Sequence, residues 1–378
     1  MMTRDGSYSF GVEEEFFIAD KKTARILKRT PAGFVADCKS RLAGQVGHEL
    51  LQSQIEARSN VCLETAELGA ELRRLRRTLT DCCDRHGVAI VAAGTFPMAE
   101  WREQTHTDQP RYRKLVDDFQ IIGQRNLLCG LHVHVAPPAG VDRVDVMNRM
   151  LPWLPLFLAL SASSPFWNRS RTGLMSYRQA AYDEWPRTGI PDYFHGEADY
   201  QSFVSILVQA EIIPDAGFLW WAIRPSSRYP TIEMRICDSC TDIEVAIGIA
   251  SLFRCLTRLL VRQTEIGRAR SSMTRMLIEE NRWQAKRYGI RAEFVDVHTG
   301  RGRQSVASCL SDLESQCMED IEHFGCGNEI RALTTIFSAG NSAERQLGIY
   351  RAARDKGAHR AESCRRVAAW LIAETRRA

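Results

Sequence analysis

Near the start of the chain, Gly11-Val12-Glu13-Glu14-Glu15-Phe16-Phe17-Ile18 sets acids into a run of aromatic and β-branched residues. The stretch Tyr8 to Ile18 reads as a strand. Side chains alternate along a strand, so Glu13 and Glu15 share one face while Val12, Glu14 and Phe16 take the other. Two adjacent carboxylates repel unless something positive lies between them, a divalent cation or a facing arginine. Alone, the pair would suit a solvated edge strand. A second strand, Leu128 to Pro137, puts His132 and His134 on one face and Leu131, Val133 and Val135 on the other. One strand histidine is usually a hydrogen-bonded core residue, but two sharing a face make a metal-ligand or phosphate-contact role about as good a reading as that one. A third strand, Thr231 to Asp238, turns Ile232, Met234 and Ile236 to a core and Glu233, Arg235 and Cys237 away from it. Between them, Glu49 and Glu56 stand seven residues apart, and Glu56 lies beside apolar neighbours as a second-strand acid next to Glu13 and Glu15 would.

An isolated Glu/Arg pair on a strand is most often a structural ion pair. Here it is the third strand to present such groups on one face. Pooled, Glu13, Glu15, Glu56, His132 and Glu233 make a mostly oxygen-donor set with one imidazole, which suits Mg²⁺ or Mn²⁺ better than zinc. Arginines near such a set suit phosphate oxygens. The chain has no Walker A sequence, Gly-rich kinase loop or Rossmann fingerprint. The expectation is a sheet-borne multi-metal site that grips a polyphosphate without a P-loop.

The elements around these strands must supply a core. The 378 residues are 44% hydrophobic, enough for one large domain or two to three smaller ones. A net charge of +4 is too weak for a nucleic-acid footprint but fits a small anionic substrate if arginines converge on a pocket. The twelve cysteines are scattered through apolar helical patterns behind a polar N-terminus, and read as reduced core residues of a cytosolic, cytoplasmic protein. Cys237-Asp-Ser-Cys240 has no partner motif at zinc spacing and reads as a bystander. The longest apolar run, Leu151 to Ala162, holds two prolines and is too short to span a bilayer, so no membrane is expected.

Glu64 to His86 is expected as an amphipathic helix with Leu68, Leu72, Leu75, Leu79 and Cys82 on its inner stripe. Arg73, Arg74, Arg76 and Arg77 then form its solvated outer face. Thr30 to Gly47 reads as a connector, and the polar, aromatic, arginine-bearing stretch 164–190 as a functional loop. The C-terminal third is helical.

Seven segments recur in order in one family. They are Gly-Val-Glu-Glu-Glu-Phe (11–16), Glu-Leu-Leu-Gln-Ser-Gln-Ile-Glu (49–56), Cys-Gly-Leu-His-Val-His-Val (129–135), Ser-Ala-Ser-Ser-Pro-Phe-Trp (161–167), Ser-Tyr-Arg (176–178), Thr-Ile-Glu-Met-Arg-Ile-Cys-Asp (231–238) and Arg-Tyr-Gly (287–289). The chain resembles the carboxylate–amine ligases of the glutamate–cysteine ligase type 2 group, in the glutamine synthetase superfamily, along nearly its whole length. The resemblance implies an α+β fold, a glutamine-synthetase-like curved, mainly antiparallel β-sheet funnel with helices outside, and one catalytic domain over 1–378. It implies ATP and two or three Mg²⁺ or Mn²⁺, phosphorylation of a carboxylate, and attack by an amine to give an amide, with glutamate plus cysteine giving γ-glutamylcysteine. By motif position Glu13, Glu15, Glu56, His132 and Glu233 correspond to metal ligands, with Glu49 a further candidate. Arg235 corresponds to the phosphate-facing arginine, and His134 and Arg178 lie near phosphate or the substrate carboxylate. The implied partners are small-molecule carboxylate and amine substrates; homo-oligomerisation is left open. Two rivals are a guanidino phosphotransferase on a related sheet and a non-catalytic nucleotide-binding protein, the latter disfavoured by the intact acids.

Overall fold

Why the acids meet is a matter of strand register. In the computed structural model, which describes residues 8–297 and 299–377, one sheet contains β1 (Phe10–Asp20), β2 (Val46–His48), β3 (Gln54–Arg58), β4 (Val88–Val91), β5 (Gly130–Val135), β6 (Ile223–Pro225) and β7 (Ile232–Asp238). The lateral order is β2-β3-β1-β5-β7-β6, with β4 pairing the far half of β1, and every pairing is antiparallel. Antiparallel neighbours place residues directly opposite, with side chains on the same face.

One face is the core. Val12, Phe16, Ile18, Ile55, Leu131, Val133, Ile232 and Met234 pack there against the helices Thr65–His86, Leu154–Ser161 and Ile243–Arg262. The Thr65–His86 helix buries its expected stripe; Glu64 and Glu67 form its capping box, and Gly87 ends it at φ 69°. Glu14, between Glu13 and Glu15, is carried into this core and is only 1% exposed. Arg76 meets it, Nη2 donating to Oε1 at 2.5 Å and Nε to Oε2 at 3.2 Å. The Arg76 guanidinium also donates to the carbonyls of Cys240 and Thr241. Arg76 therefore does not belong to a solvated face: the helix is sunk deeply enough that the side chain must find a buried anion. Arg73 and Arg74, by contrast, remain partly exposed and pair with Glu244 and Glu71.

A second apolar cluster, including Phe17, Val91, Phe96, Phe166 and Leu371, lies under the C-terminal helix Arg360–Thr375. The stretch expected as a connector contains the helix Phe34–Arg41, whose Phe34, Val35 and Cys38 are buried. Segment 164–190 is not an open loop either. It holds a two-residue hairpin (Phe166–Trp167 with Ser170–Arg171) and the helix Tyr177–Tyr182, and Ser163, Ser164 and Ser176 at its base are fully buried.

One irregularity matters. Leu131 pairs with Cys237 but Val133 pairs with Met234, so β7 carries one extra residue opposite His132. Parity changes there: Cys237 is turned into the core beside Ile236, contrary to the simple alternation that set it with Glu233 and Arg235, and Asp238 takes the other face opposite Gly130. Cys237 and Cys240 are both buried and free. Among the described residues, no helix is long and apolar enough to cross a membrane.

Candidate active site

The face of the sheet opposite the helices lines a cavity of about 490 Å³. Register builds its floor. Glu15 lies opposite Glu56, Glu13 opposite His132, and His134 opposite Glu233. Glu49, in the bend between β2 and β3, comes in beside Glu15 and Glu56.

Ligand-capable atoms fall into two groups, Glu13–His134–Glu233 and Glu15–Glu49–Glu56, each with its atoms within 4.8 Å of one another. The expected donor set thus divides in two, and His134 rather than His132 completes the first group. The reason is register: Glu233 comes level with His134, while His132 stands opposite Glu13 and faces the extra residue of β7. His132 is 2% exposed; its Nδ1 lies 3.3 Å from Glu13 Oε2 and its Nε2 3.8 Å from Glu15 Oε1. His134 Nδ1 is held by Thr231 Oγ1 at 2.9 Å. Among the described residues the Nε2 atoms of both histidines are buried without a hydrogen-bond partner, and a lone pair there fits a cation.

Electrostatics differ between the groups. Burial works against ionisation of Glu13, yet the hydrogen bond from His132 and the charges of His132 and His134 together outweigh it and hold the carboxyl at about 2. Burial likewise opposes Glu233, but the Arg235 and Arg224 guanidinia hold it well below the ordinary carboxylate range. Arg224 grips Glu233 through two bonds, Nε to Oε2 at 2.8 Å and Nη2 to Oε1 at 3.1 Å, and Arg235 Nη1 donates to Oε1 as well. At the other group nothing comparable is available. Burial and the charges of Glu15 and Glu56 push Glu49 well above its usual range, and burial with Glu13 and Glu15 pushes Glu56 up to about 8 despite Arg58. Three oxygen-only ligands whose own charges oppose one another fit a hard divalent cation.

Arg178 is 2% exposed and reaches the floor of the cavity, where Nη1 donates to the carbonyls of Cys237 and Arg235 and Nε has no hydrogen-bond partner among the described residues. Further residues line the cavity that sequence reasoning passed over: Arg58, Arg111, Tyr112, Asp215, Arg224, Arg228, Tyr229 and the aromatics Trp185, Phe218 and Trp220. Arg58 ends β3 and Arg224 lies on β6; the others come from loops and short turns and from the helix Pro110–Phe119, where spacing carries no signal. Arg224 alone had one, its place at the end of a short apolar segment ahead of β7.

Comparison with known proteins completes the description. Residues 9–369 match the family model described as "Glutamate-cysteine ligase family 2". A relative from Bradyrhizobium diazoefficiens is 42% identical over 344 residues, covering 91% of this chain and 80% of its own. One from Ectopseudomonas mendocina is 39% identical over 375 residues, covering 97% of each. Both are named "Putative glutamate–cysteine ligase 2". In fold, the chain is similar to the glutamate–cysteine ligase of Francisella tularensis solved with AMP, at TM-score 0.67 and 12% identity over 98% of this chain and 92% of that one. It is also similar to a bifunctional glutathione synthetase of Pasteurella multocida, at TM-score 0.71 and 15% identity, covering 98% of this chain but spanning only about half, 53%, of that longer one.

Proposed function

The chain belongs to glutamate–cysteine ligase family 2, and is on that footing an ATP-dependent carbon–nitrogen ligase with an α+β, glutamine-synthetase-like sheet; from this premise we propose how its residues divide the work and which substrates they take. The carrying observation is the pair of acid-rich groups on one sheet face, with Arg178, Arg224 and Arg235 between and beside them. The whole chain, 1–378, acts as a single catalytic domain.

In this reading Glu15, Glu49 and Glu56 hold one divalent cation, Mg²⁺ or Mn²⁺. Glu13, His134 and Glu233 hold another, with His132 bridging by hydrogen bond and within reach of either group. The cations, when bound, screen charge between the phosphates of ATP and the acid and act as Lewis acids. Everything else falls to the protein. A carboxylate is a poor electrophile, because its charge is delocalised and its oxygen leaves badly; transfer of the γ-phosphoryl group to it gives an acyl phosphate, whose phosphate departs when an amine attacks. Arg235, pinned by Glu233, stabilises the charge on the transferring group. Arg178 holds an oxyanion of phosphate or of the acid. The buried base of segment 163–178 excludes water, which would hydrolyse the acyl phosphate. The acid is glutamate and the amine cysteine, the pair in the relatives' name.

The test is phosphate release from ATP and Mg²⁺ with panels of acids and amines. Release that requires both an acid and an amine is expected, greatest with glutamate and cysteine. Glu13→Ala should lower it by about 100-fold or more, the cost of removing one electrostatic stabiliser, with an unchanged circular dichroism spectrum. Release with neither co-substrate, or no release at all, would overturn the reading.

A further inference from the structure

Three of the recurring segments, 161–167, 176–178 and 231–238, contribute few groups to the cation sites, yet they meet at one buried carboxylate. Asp238 is fully buried. Its Oδ2 accepts from the Ser163 amide at 2.9 Å and the Ser164 hydroxyl at 2.6 Å, and its Oδ1 accepts from the Ser176 hydroxyl at 2.8 Å. The Ser164 oxygen in turn accepts from the Arg178 amide at 3.0 Å. Ser163 Oγ accepts from the Gly94 amide and donates to the Ser239 carbonyl. A Cβ on Gly94 would fall 2.6 Å from the Asp238 carboxyl carbon, so the end of β4 is drawn hard against it.

The knot leads to one side chain. Ser176 precedes the helix Tyr177–Tyr182, and the Arg178 amide and Gln179 side chain anchor that helix to Ser164 and to the Ile236 carbonyl. Arg178 thereby lies flat over Gly130, where a Cβ would stand 2.3 Å from Nη2. Nη1 is spent on carbonyls while Nε is buried and unpartnered. A guanidinium held by one corner leaves the rest of its fork for an oxyanion. Gly130 also donates its amide to Glu15 Oε2 at 2.6 Å, so the guanidinium sits next to the Glu15 group.

We propose that Asp238 and Ser164 are positioning residues for the ligase reaction: together with Ser176 they fix Arg178 over Gly130, where it takes the carboxylate of the acid substrate. The claim rests on the carboxylate–amine ligase reading and adds to it the route by which the acid-binding arginine is placed. Asp238 itself touches neither substrate nor cation. Its parity on β7 comes from the extra residue opposite His132; a regular strand would put Cys237 there instead.

The experiment uses the full chain with Mg²⁺-ATP, the preferred acid and amine, and the variants Ser164→Ala, Asp238→Asn and Arg178→Lys. Ser164→Ala removes one hydroxyl and is the gentler change should Asp238→Asn fail to fold. Ser164→Ala should raise KM for the acid by about tenfold, the loss of one oriented charged contact, with KM for ATP changed by less than about twofold. The double variant Ser164→Ala/Arg178→Lys should be no worse than Arg178→Lys alone, because both act on one contact. A rise confined to KM for ATP, a fall in kcat alone, or a fully additive double variant would each overturn the proposal. A crystal structure of Ser164→Ala gives a readout independent of turnover: Arg178 displaced from the Cys237 carbonyl supports the claim, and an unmoved guanidinium sinks it. If the wild-type chain shows no acid- and amine-dependent release, the ligase assignment falls, while this structural readout still decides the positioning.

Discussion

The Glu15–Glu49–Glu56 group makes a prediction about stability that needs no knowledge of the substrates. In protein stripped of divalent cations, the Glu56 carboxyl stands at about 8 rather than its ordinary 4.5, because burial and the charges of Glu13 and Glu15 outweigh Arg58. Below 4.5 the group is protonated in both folded and unfolded chains and costs nothing. Between 4.5 and 8 the unfolded chain gives up the proton and the folded chain keeps it, so folding stability falls as pH rises through this window. At about 1.4 kcal/mol per pH unit the full loss would be roughly 4–5 kcal/mol. Relaxation and water entering the cavity reduce this to roughly 2 kcal/mol, equivalent to about 2–5 °C in melting temperature for a chain of this size. Glu56→Gln removes the proton exchange while keeping the shape. In EDTA, melting curves from pH 5 to 8.5 should therefore fall less steeply for Glu56→Gln than for wild type. Mn²⁺ at a hundred times its dissociation constant should restore about 2.7 kcal/mol to wild type and much less to the variant. Parallel pH profiles for the two proteins, or equal protection of both by Mn²⁺, would refute the reasoning.

Two further outcomes are expected. Arg76→Met strands the Glu14 carboxylate in the core and should cost about 3–5 kcal/mol in urea unfolding, much of it recovered in Glu14→Leu/Arg76→Met, where neither charge remains. Glu71 is held at about 2 by the Arg74 hydrogen bond, against burial and aided by Gln45 and Asn60, so its contribution is present above 4.5 and lost as pH falls toward 2; Glu71→Gln should flatten that acid limb by roughly 1 kcal/mol.

Strand periodicity made much of the site legible. Glu13 and Glu15, His132 and His134, Glu233 and Arg235 each share a face because two residues restore the same side, and register then needs only to align three strands. What spacing cannot convey is which residue of one strand comes level with which of the next. Register sets His134, not His132, opposite Glu233, and the single extra residue in β7 turns Cys237 into the core; no feature of Thr231 to Asp238 announces either. Arg76 was misread for a related reason. An amphipathic pattern reports the centre of the buried stripe, not its width, and the width depends on how deeply the sheet receives the helix. Arg224 and the aromatic wall came from segments whose conformation is set by tertiary contact.

The bulge also makes the two ends of β7 depend on one irregular step. Upstream of it the strand speaks to the cavity through Glu233 and Arg235; downstream, through Asp238. Were the strand to pair regularly at its present length, the first two residues would stay in place and Cys237 and Asp238 would exchange roles, sending a thiol toward the arginine and a carboxylate into the hydrocarbon behind it. What the strand must keep is therefore the irregular step itself as much as the side chains that follow it.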